Sequence, residues 1–505
     1  VDGRSFDIYV PFVERGLDWL TDDGRLAYIC PNRLLTHEYA TGLRDRLGRE
    51  PLTRLVDFGD VSVFDAATPY PCLFTVDRRA DADTDVECAR IAAERADVLE
   101  ELYRRDEWET PSGVEAYDLF TYPRELLRAD NEDENLRSWK PMPDDERRAF
   151  EAIRDAAEIR LERAAAEVFV GIQTSANRVF TGFVEGEHAG RLVDTADSRE
   201  DSTRDTLDDS GELVQFRAKG DETAQPVERG ILRRLLRGPE VDRWGVDWEG
   251  LWLVFPYEVT DGEATVLSEQ RLREEYEHAW QFFSDHEADL RDRHVQADEW
   301  WAFGRRQNVD KMEPEKIVTN IMSARSRFVA DTEGTYYFLG GGNAGGYGIQ
   351  LREEYAATEA DYLYYVALLN SSVLEFYHKQ IAPIFGGKYY SYNKRYLQPH
   401  PIVPPTAAPD ETVVEYAEQI SEIRAEQTEL AHETDDVRNY LSAFDCSWTV
   451  VDLARSVRLD DDDYRQDPIR RDSTTVAASS HDEAAATTET VYTIDRKSGS
   501  AGMPR

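Results

Sequence analysis

Apolar residues at Ile8, Phe12, Val13, Leu17 and Leu20 recur at helical spacing, which predicts a helix over 7–20. Asp22, Asp23 and Gly24 supply the turn that ends it. The run 26–30 (Leu26 to Cys30) reads as a short buried strand closed by Pro31 and Asn32. A second helix is expected over 39–47, then strands at 55–58 and 72–76. Strand, helix, strand, loop, strand fits the second half of an open α/β sheet.

Beyond residue 80 the pattern changes. Residues 81–160 read as an acidic, helical spacer punctuated by Pro141 and Pro143. From 168 to 405 strand-like pieces, aromatic clusters and glycine turns predominate, with 184–228 an acidic, weakly hydrophobic stretch expected to be a loop insertion. A helix is expected over 361–376. Residues 410–443 are patterned as helix through Val413, Tyr416, Ile420, Ile423 and Leu430. From about 458 the chain is low-complexity Asp, Ser, Thr and Ala, and disorder is expected. No internal repeat is visible. The division expected is therefore 1–80, a spacer 81–160, a mixed α+β domain 161–405, a helical segment 406–447 and a tail 448–505.

Charge alters this picture more than any other compositional feature. The net charge is −42, and lysine is nearly absent, eight against 51 arginines. Acids are spread over the whole chain, as expected of a protein adapted to work in molar salt. Such a balance argues against nucleic-acid binding at first sight, because phosphate contacts need cations. The bias is local, however. Residues 296–404 hold 11 Lys and Arg against 12 Asp and Glu, so this segment escapes the acidity. From Tyr377 to Tyr396 there is no acid, and Lys379, Lys388, Lys394 and Arg395 alternate with Tyr389, Tyr390, Tyr392 and Tyr396. Cations among aromatics suit phosphate and base contacts; a buried tyrosine cluster with lysines reaching past it is the competing reading. No apolar run approaches the roughly 20 residues that span a bilayer, so a soluble, cytoplasmic protein is expected. Cys30, Cys72, Cys88 and Cys446 form no CxxC pair and the histidines are isolated, so no metal site is expected. The chain opens on Val1 and runs at once into patterned sequence, which suggests a fragmentary reading frame, though an alternative start codon would look the same.

Three constellations carry chemistry. The first is Asp7, Ile8, Tyr9, a helix, then Gly24 and the apolar run into Pro31. The second is Val61-Ser62-Val63-Phe64-Asp65-Ala66-Ala67-Thr68-Pro69-Tyr70, a loop between two strands. The third runs from Val168–Phe180 through Trp300, Trp301, Phe303, Gly304, Arg305, Arg306 and Gln307 to Ile384–Tyr390 and Pro399-His400-Pro401. In this order they resemble the TaqI-like DNA adenine-N6 methyltransferases of restriction-modification systems, type IIG branch, over about 1–80 and 168–405. Asp23 stands where that family often has a second glycine. The resemblance implies the distal half of a Rossmann-like methyltransferase sheet followed by a target-recognition domain. It implies double-stranded DNA as partner, S-adenosyl-L-methionine as methyl donor, and an adenine flipped out of the duplex. It places Phe64 where an aromatic stacks on that base. Lys388, Tyr389, Lys394, Arg395, Arg305 and Arg306 are the candidate DNA contacts.

The family's donor-binding glycine loop and its Asn/Asp/Ser-Pro-Pro-Tyr/Phe tetrapeptide are not found in these residues. Both would lie upstream of Asp7, so an upstream chain carrying the donor-binding half is an expected partner, and a non-catalytic recognition subunit is the alternative. The glycine run 340–348 follows a strand, Tyr336 to Leu339, and could cradle a nucleotide only if a helix followed it. Tyr347 to Leu351 reads as a strand, so a hairpin turn is expected instead.

Overall fold

The computed structural model describes residues 7–59, 70–92, 116–128, 138–185, 212–293, 299–342, 345–385 and 389–405, a few single positions between them (among them 61, 63 and 64) and short elements beyond. The architecture is mixed α/β with several sheets.

Helix α1 (Tyr9–Trp19) forms as the spacing predicts and buries Val10, Val13 and Leu17. It leads into strand β1 (Arg25–Pro31), which shares a five-stranded sheet with β2 (Leu52–Asp57), β3 (Pro71–Asp77), β4 (Val86–Ile91) and β5 (Tyr117–Tyr122). The order is β1-β3-β2-β4-β5. The late strand β3 inserts between β1 and β2 and runs antiparallel to both. β1 and β2 therefore point the same way, and β4 is parallel to β2. One face packs on Val13, Leu17, Leu34, Leu43 and Leu47, the other on Phe58, Leu102 and Trp108, so the sheet is covered on both sides.

Two expectations need correcting here. β1 is not buried: it lies at the margin of the sheet among the described residues, its exposure alternates, and Ile29 is 41% exposed. The stretch read as helical spacer contributes β4 and β5. Val86, Cys88 and Ile91 are buried at near-alternate positions, and this period-two signal was obscured by surrounding acids. Only Asp144–Asp155 in that stretch forms a long helix.

The remainder builds two larger sheets. A six-stranded sheet runs in the order Gln225–Glu228, Leu213–Ala218, Thr181–Val184, Leu251–Val254, Leu232–Leu236, Tyr336–Phe338. Phe180, Phe216, Phe282, Phe283, Trp301 and Phe303 fill its core. Two of its strands lie inside the stretch expected to be a loop insertion. Leu213–Ala218 faces the core only through Phe216 and Ala218, which is why its hydrophobicity looked too weak. A four-stranded sheet has the order Phe328–Asp331, Lys316–Asn320, Gly346–Leu351, Ala165–Val170. It is backed by helices Glu359–Asn370 and Ser372–Ile381, two helices where one was expected. The break is at Ser371, whose hydroxyl accepts from the Leu374 N–H at 3.1 Å and starts the second helix.

The glycine run is no hairpin. Tyr336–Phe338 belongs to the six-stranded sheet and Gly346–Leu351 to the four-stranded one, so the run carries the chain from one sheet to the other. Gly340 N–H donates to Ile172 O at 2.8 Å and Gly171 N–H to Gly346 O at 3.2 Å. The backbones cross so closely that a side chain at Gly171 would collide with Leu339.

The expected helix over 410–443 falls outside the described residues except at 419, 421 and 428, which are helical. In the low-complexity tail short strands are placed at Thr474–Val476, Ala478–Ser479, Tyr492–Asp495 and Ser500–Gly502; the rest of the region expected to be disordered lies outside the described residues.

Candidate functional site

Because β1 and β2 are parallel, the chain leaves both at the same edge of the sheet, at Asn32 and Phe58. Asn32 is held there by its own N–H, which donates to Tyr70 O at 2.7 Å. Its side-chain amide reaches Asp57 Oδ1 at 3.3 Å and Gly59 O at 3.1 Å. Asp57 also accepts from Gly59 N–H at 2.9 Å, and Gly59 turns with a positive φ of 54°. Burial pushes the Asp57 carboxyl above its ordinary range, against the pull of these two hydrogen bonds. Buried Arg44 fixes the turn after β1 by donating to Leu34 O and His37 O, both at 2.8 Å.

From this frame the chain runs toward Phe64. Val61 N–H donates to Phe58 O at 2.8 Å, and Val61 and Val63 pack on the Val56, Phe58, Ile91 cluster. Phe64 itself is 43% exposed, one of few large apolar side chains so presented. It thus sits on an anchored segment at the edge where β1 and β2 end. Residues 65–69 of the same loop lie outside the described residues.

The cation–tyrosine segment divides. Tyr389 is 41% exposed in the strand Tyr389–Ser391. Lys394 and Arg395 are exposed on a short helix capped by Asn393, whose Oδ1 accepts from Arg395 N–H at 3.1 Å. Arg395 reaches across to Glu38 of the first half, 3.6 Å away. Lys379 is tied to Glu375 at 2.6 Å. Tyr392 is core: it is fully buried and its ring stacks on His378 at 3.9 Å. Lys388 lies outside the described residues. Arg305 and Arg306 are exposed but belong to another place in the fold. Arg305 bridges to Gln173, and Arg306 pairs with Glu299 at 2.5 Å. Lys316, counted among the cations of this region, is buried beside Asp331 and faces no ligand.

Sequence reasoning missed the Asn32–Asp57 frame and Lys140. Trp139 N–H donates to Leu35 O at 2.6 Å and its indole to Leu127 O at 3.1 Å, which presses Lys140 inward. Lys140 Nζ donates to Ala382 O at 3.0 Å. Burial lowers its ammonium to about 7, with Asp57 pulling the other way. The available signal was Asn32 after Pro31, at a strand end.

Among the described residues no group of three or more His, Cys, Asp or Glu could hold a metal ion, and no helix is long and apolar enough to cross a membrane.

Residues 1–64 match the family described as Eco57I restriction-modification methylase. The chain is 23% identical over 407 residues to the type II restriction enzyme and methyltransferase RM.Eco57I of Escherichia coli, covering 76% of this chain and 35% of that protein. It is 28% identical over 250 residues to the type II methyltransferase M.PaeR7I of Pseudomonas aeruginosa, 47% of this chain and 40% of that one. Among solved structures it aligns with the type IIL restriction-modification enzyme MmeI in complex with DNA, at 11% identity and a TM-score of 0.43, over 83% of this chain and 44% of that chain. The chain thus spans about a third to two fifths of the length of these curated relatives. By sequence likeness it resembles the restriction-modification methylases, and it carries their family pattern over residues 1–64.

Proposed function

We propose that the chain is the distal part of a site-specific DNA adenine-N6 methyltransferase of a restriction-modification system, joined to its target-recognition domain. The observation that carries this reading is the arrangement β1-β3-β2, with the loop from Phe58 to Tyr70 presenting Phe64 at the edge where β1 and β2 end. In open α/β sheets ligands bind at the carboxyl ends of the strands. Chemistry on a base requires extruding it and holding its face against a ring. Phe64 supplies that ring, on a segment fixed by Val61 and Val63. Tyr389, Lys394 and Arg395, with Lys388, contact the backbone of double-stranded DNA; Arg305 and Arg306 are candidates on a separate surface.

S-adenosyl-L-methionine would supply the methyl group. The residues here do not fit it. The glycine run leads into the strand Gly346–Leu351 rather than a helix N-terminus, and the proline-proline tetrapeptide that would grip the amino group is not among these 505 residues. No step through the donor is therefore assigned to this chain. The same strand sinks the nucleotide-loop reading of 340–348. A second reading, a recognition subunit that catalyses nothing, is favoured by the missing tetrapeptide.

The test is transfer of labelled methyl from S-adenosyl-L-methionine to unmethylated duplex DNA in concentrated potassium chloride, with the chain alone and with the product of any upstream neighbouring frame. Activity only with the neighbour supports the methyltransferase reading. Silence in both, with DNA binding intact, leaves the recognition subunit. Activity of the chain alone would overturn the assignment of the donor site elsewhere.

A further inference from the structure

Where the first sheet meets the recognition half there is a cavity of about 290 Å³. One side is made by Tyr122, Lys140 and the helix Asp144–Asp155; the other by residues 380–383 and by Arg395 and Tyr396. Four cations line it, Lys140, Arg147, Arg154 and Arg395, against one acid, Glu151. In a chain of net charge −42 that balance is opposite to the rest of the molecule.

The cations are incompletely compensated. Lys140 makes no ion pair among the described residues; its hydrogen bond goes to the Ala382 carbonyl. Arg154 pairs only with its neighbour Asp155, at 2.8 Å, and Arg395 with Glu38 at 3.6 Å. Arg147 is held by Glu151 and Asp144, yet its Nε is buried with no acceptor. Withdrawing cations from water without partners is costly, so an anion is favoured in such a site. The walls between the charges are flat and apolar: Phe150, Tyr396 and Ile381, with the Thr36 and Ser138 hydroxyls at the margin. A few convergent polar groups in an apolar cleft between two parts of a chain is the usual build of a small-ligand site.

We propose that this cavity binds a nucleoside monophosphate, its phosphomonoester against Lys140 and Arg154 and its base against Phe150 and Tyr396. A free phosphomonoester carries more charge than a backbone phosphodiester and can enter an enclosed cavity end-on. The site is separate from the Phe64 loop. Because its walls come from both halves, an occupant would fasten them in one orientation.

The experiment is calorimetric titration of the full chain with AMP in potassium chloride, with inorganic phosphate and adenosine as competitors. Saturable one-site binding of AMP, displaced by phosphate and at least tenfold weaker for adenosine, is expected. Lys140→Met and Arg154→Gln should each weaken AMP at least tenfold, and Lys394→Ala should leave it unchanged. If Lys140→Met fails to fold by circular dichroism, Arg154→Gln, whose side chain is 26% exposed, carries the test. The proposal is overturned if AMP shows no saturable binding, or if binding ignores both substitutions. It is also overturned if duplex DNA alone is the ligand these substitutions weaken, which would make the cavity a backbone-phosphate contact. No methyl transfer is measured, so either result leaves the methyltransferase reading standing or falling on its own test.

Discussion

Lys316 Nζ lies 2.6 Å from Asp331 Oδ2, with both side chains buried. The two residues face each other across the Lys316–Asn320 and Phe328–Asp331 strands. Asp331 further accepts from the N–H groups of Thr335 at 2.9 Å and Tyr336 at 3.1 Å, and Lys316 donates to Met312 O. Every charge here is answered, and the pair pins the turn that delivers Tyr336–Phe338 to the other sheet. Lys316→Met would leave Asp331 buried and unpaired, at a cost of about 3–5 kcal/mol. Chemical denaturation should show that loss, and Lys316→Met with Asp331→Asn should recover part of it. A loss under 1 kcal/mol would mean water reaches the pair.

Stability should also depend on pH through two histidines. His378 and His400 are buried, with rings 5.0 Å apart. Burial holds His378 well below its ordinary range, reinforced by His400, Lys140 and Lys379. Burial likewise lowers His400 to about 4, opposed by hydrogen bonds to the Leu397 and Tyr396 backbone. Both are therefore neutral in the folded chain where the unfolded chain begins to bind protons. Stability from this source is complete above about pH 6.5 and falls as the pH drops from there toward 4. Thermal melts at fixed salt should show this slope, and His378→Phe should flatten it. An unchanged slope in that variant would assign the acid sensitivity to carboxylates.

Phe64→Ala should leave the melting temperature within a degree or two, since the ring is largely at the surface. Stacking of a base on an aromatic is worth about 1–3 kcal/mol. Methyl transfer by the chain with its donor-binding half should therefore fall roughly 5- to 150-fold. Phe64→Trp should retain most of the activity. Equal loss in both variants would remove the stacking role.

Lys394→Ala and Arg395→Ala should each lower DNA affinity evenly across sequences and reduce the slope of log affinity against log salt by about 0.9. Binding isotherms at three potassium chloride concentrations measure this. Arg395→Ala also removes the Glu38 contact, so its effect should exceed that of Lys394→Ala. Slopes unchanged in both variants would place the DNA elsewhere, for example along Arg305 and Arg306.

How much of this was legible beforehand depends on the range of the signal. Helix α1 and strands β1 to β3 follow from local periodicity, and the exposure of Phe64 agrees with its place in a loop rather than a core. Lys316 read as one more cation because nothing local distinguishes a lysine facing solvent from one facing an aspartate 15 residues later. The Asn32–Asp57 frame is a contact through space across 25 residues. The strand Leu213–Ala218 was hidden because only its alternate residues meet the core. Tyr392 and Tyr389 have the same neighbours in sequence, yet one is core and the other surface; only the three-dimensional position of His378 separates them.

The open margin of β1 has a colloidal consequence. Ile29 on that strand, and Ile8, Phe12 and Trp19 on α1, are all more than 40% exposed beside unpaired backbone. Such an edge invites pairing with another copy. In dilute buffer the charge of −42 keeps copies apart. In molar salt the Debye length shrinks to about 3 Å and that repulsion vanishes. Purified alone, this chain should therefore stay dispersed in low salt and cluster in high salt, the reverse of the behaviour its acidic surface would otherwise confer.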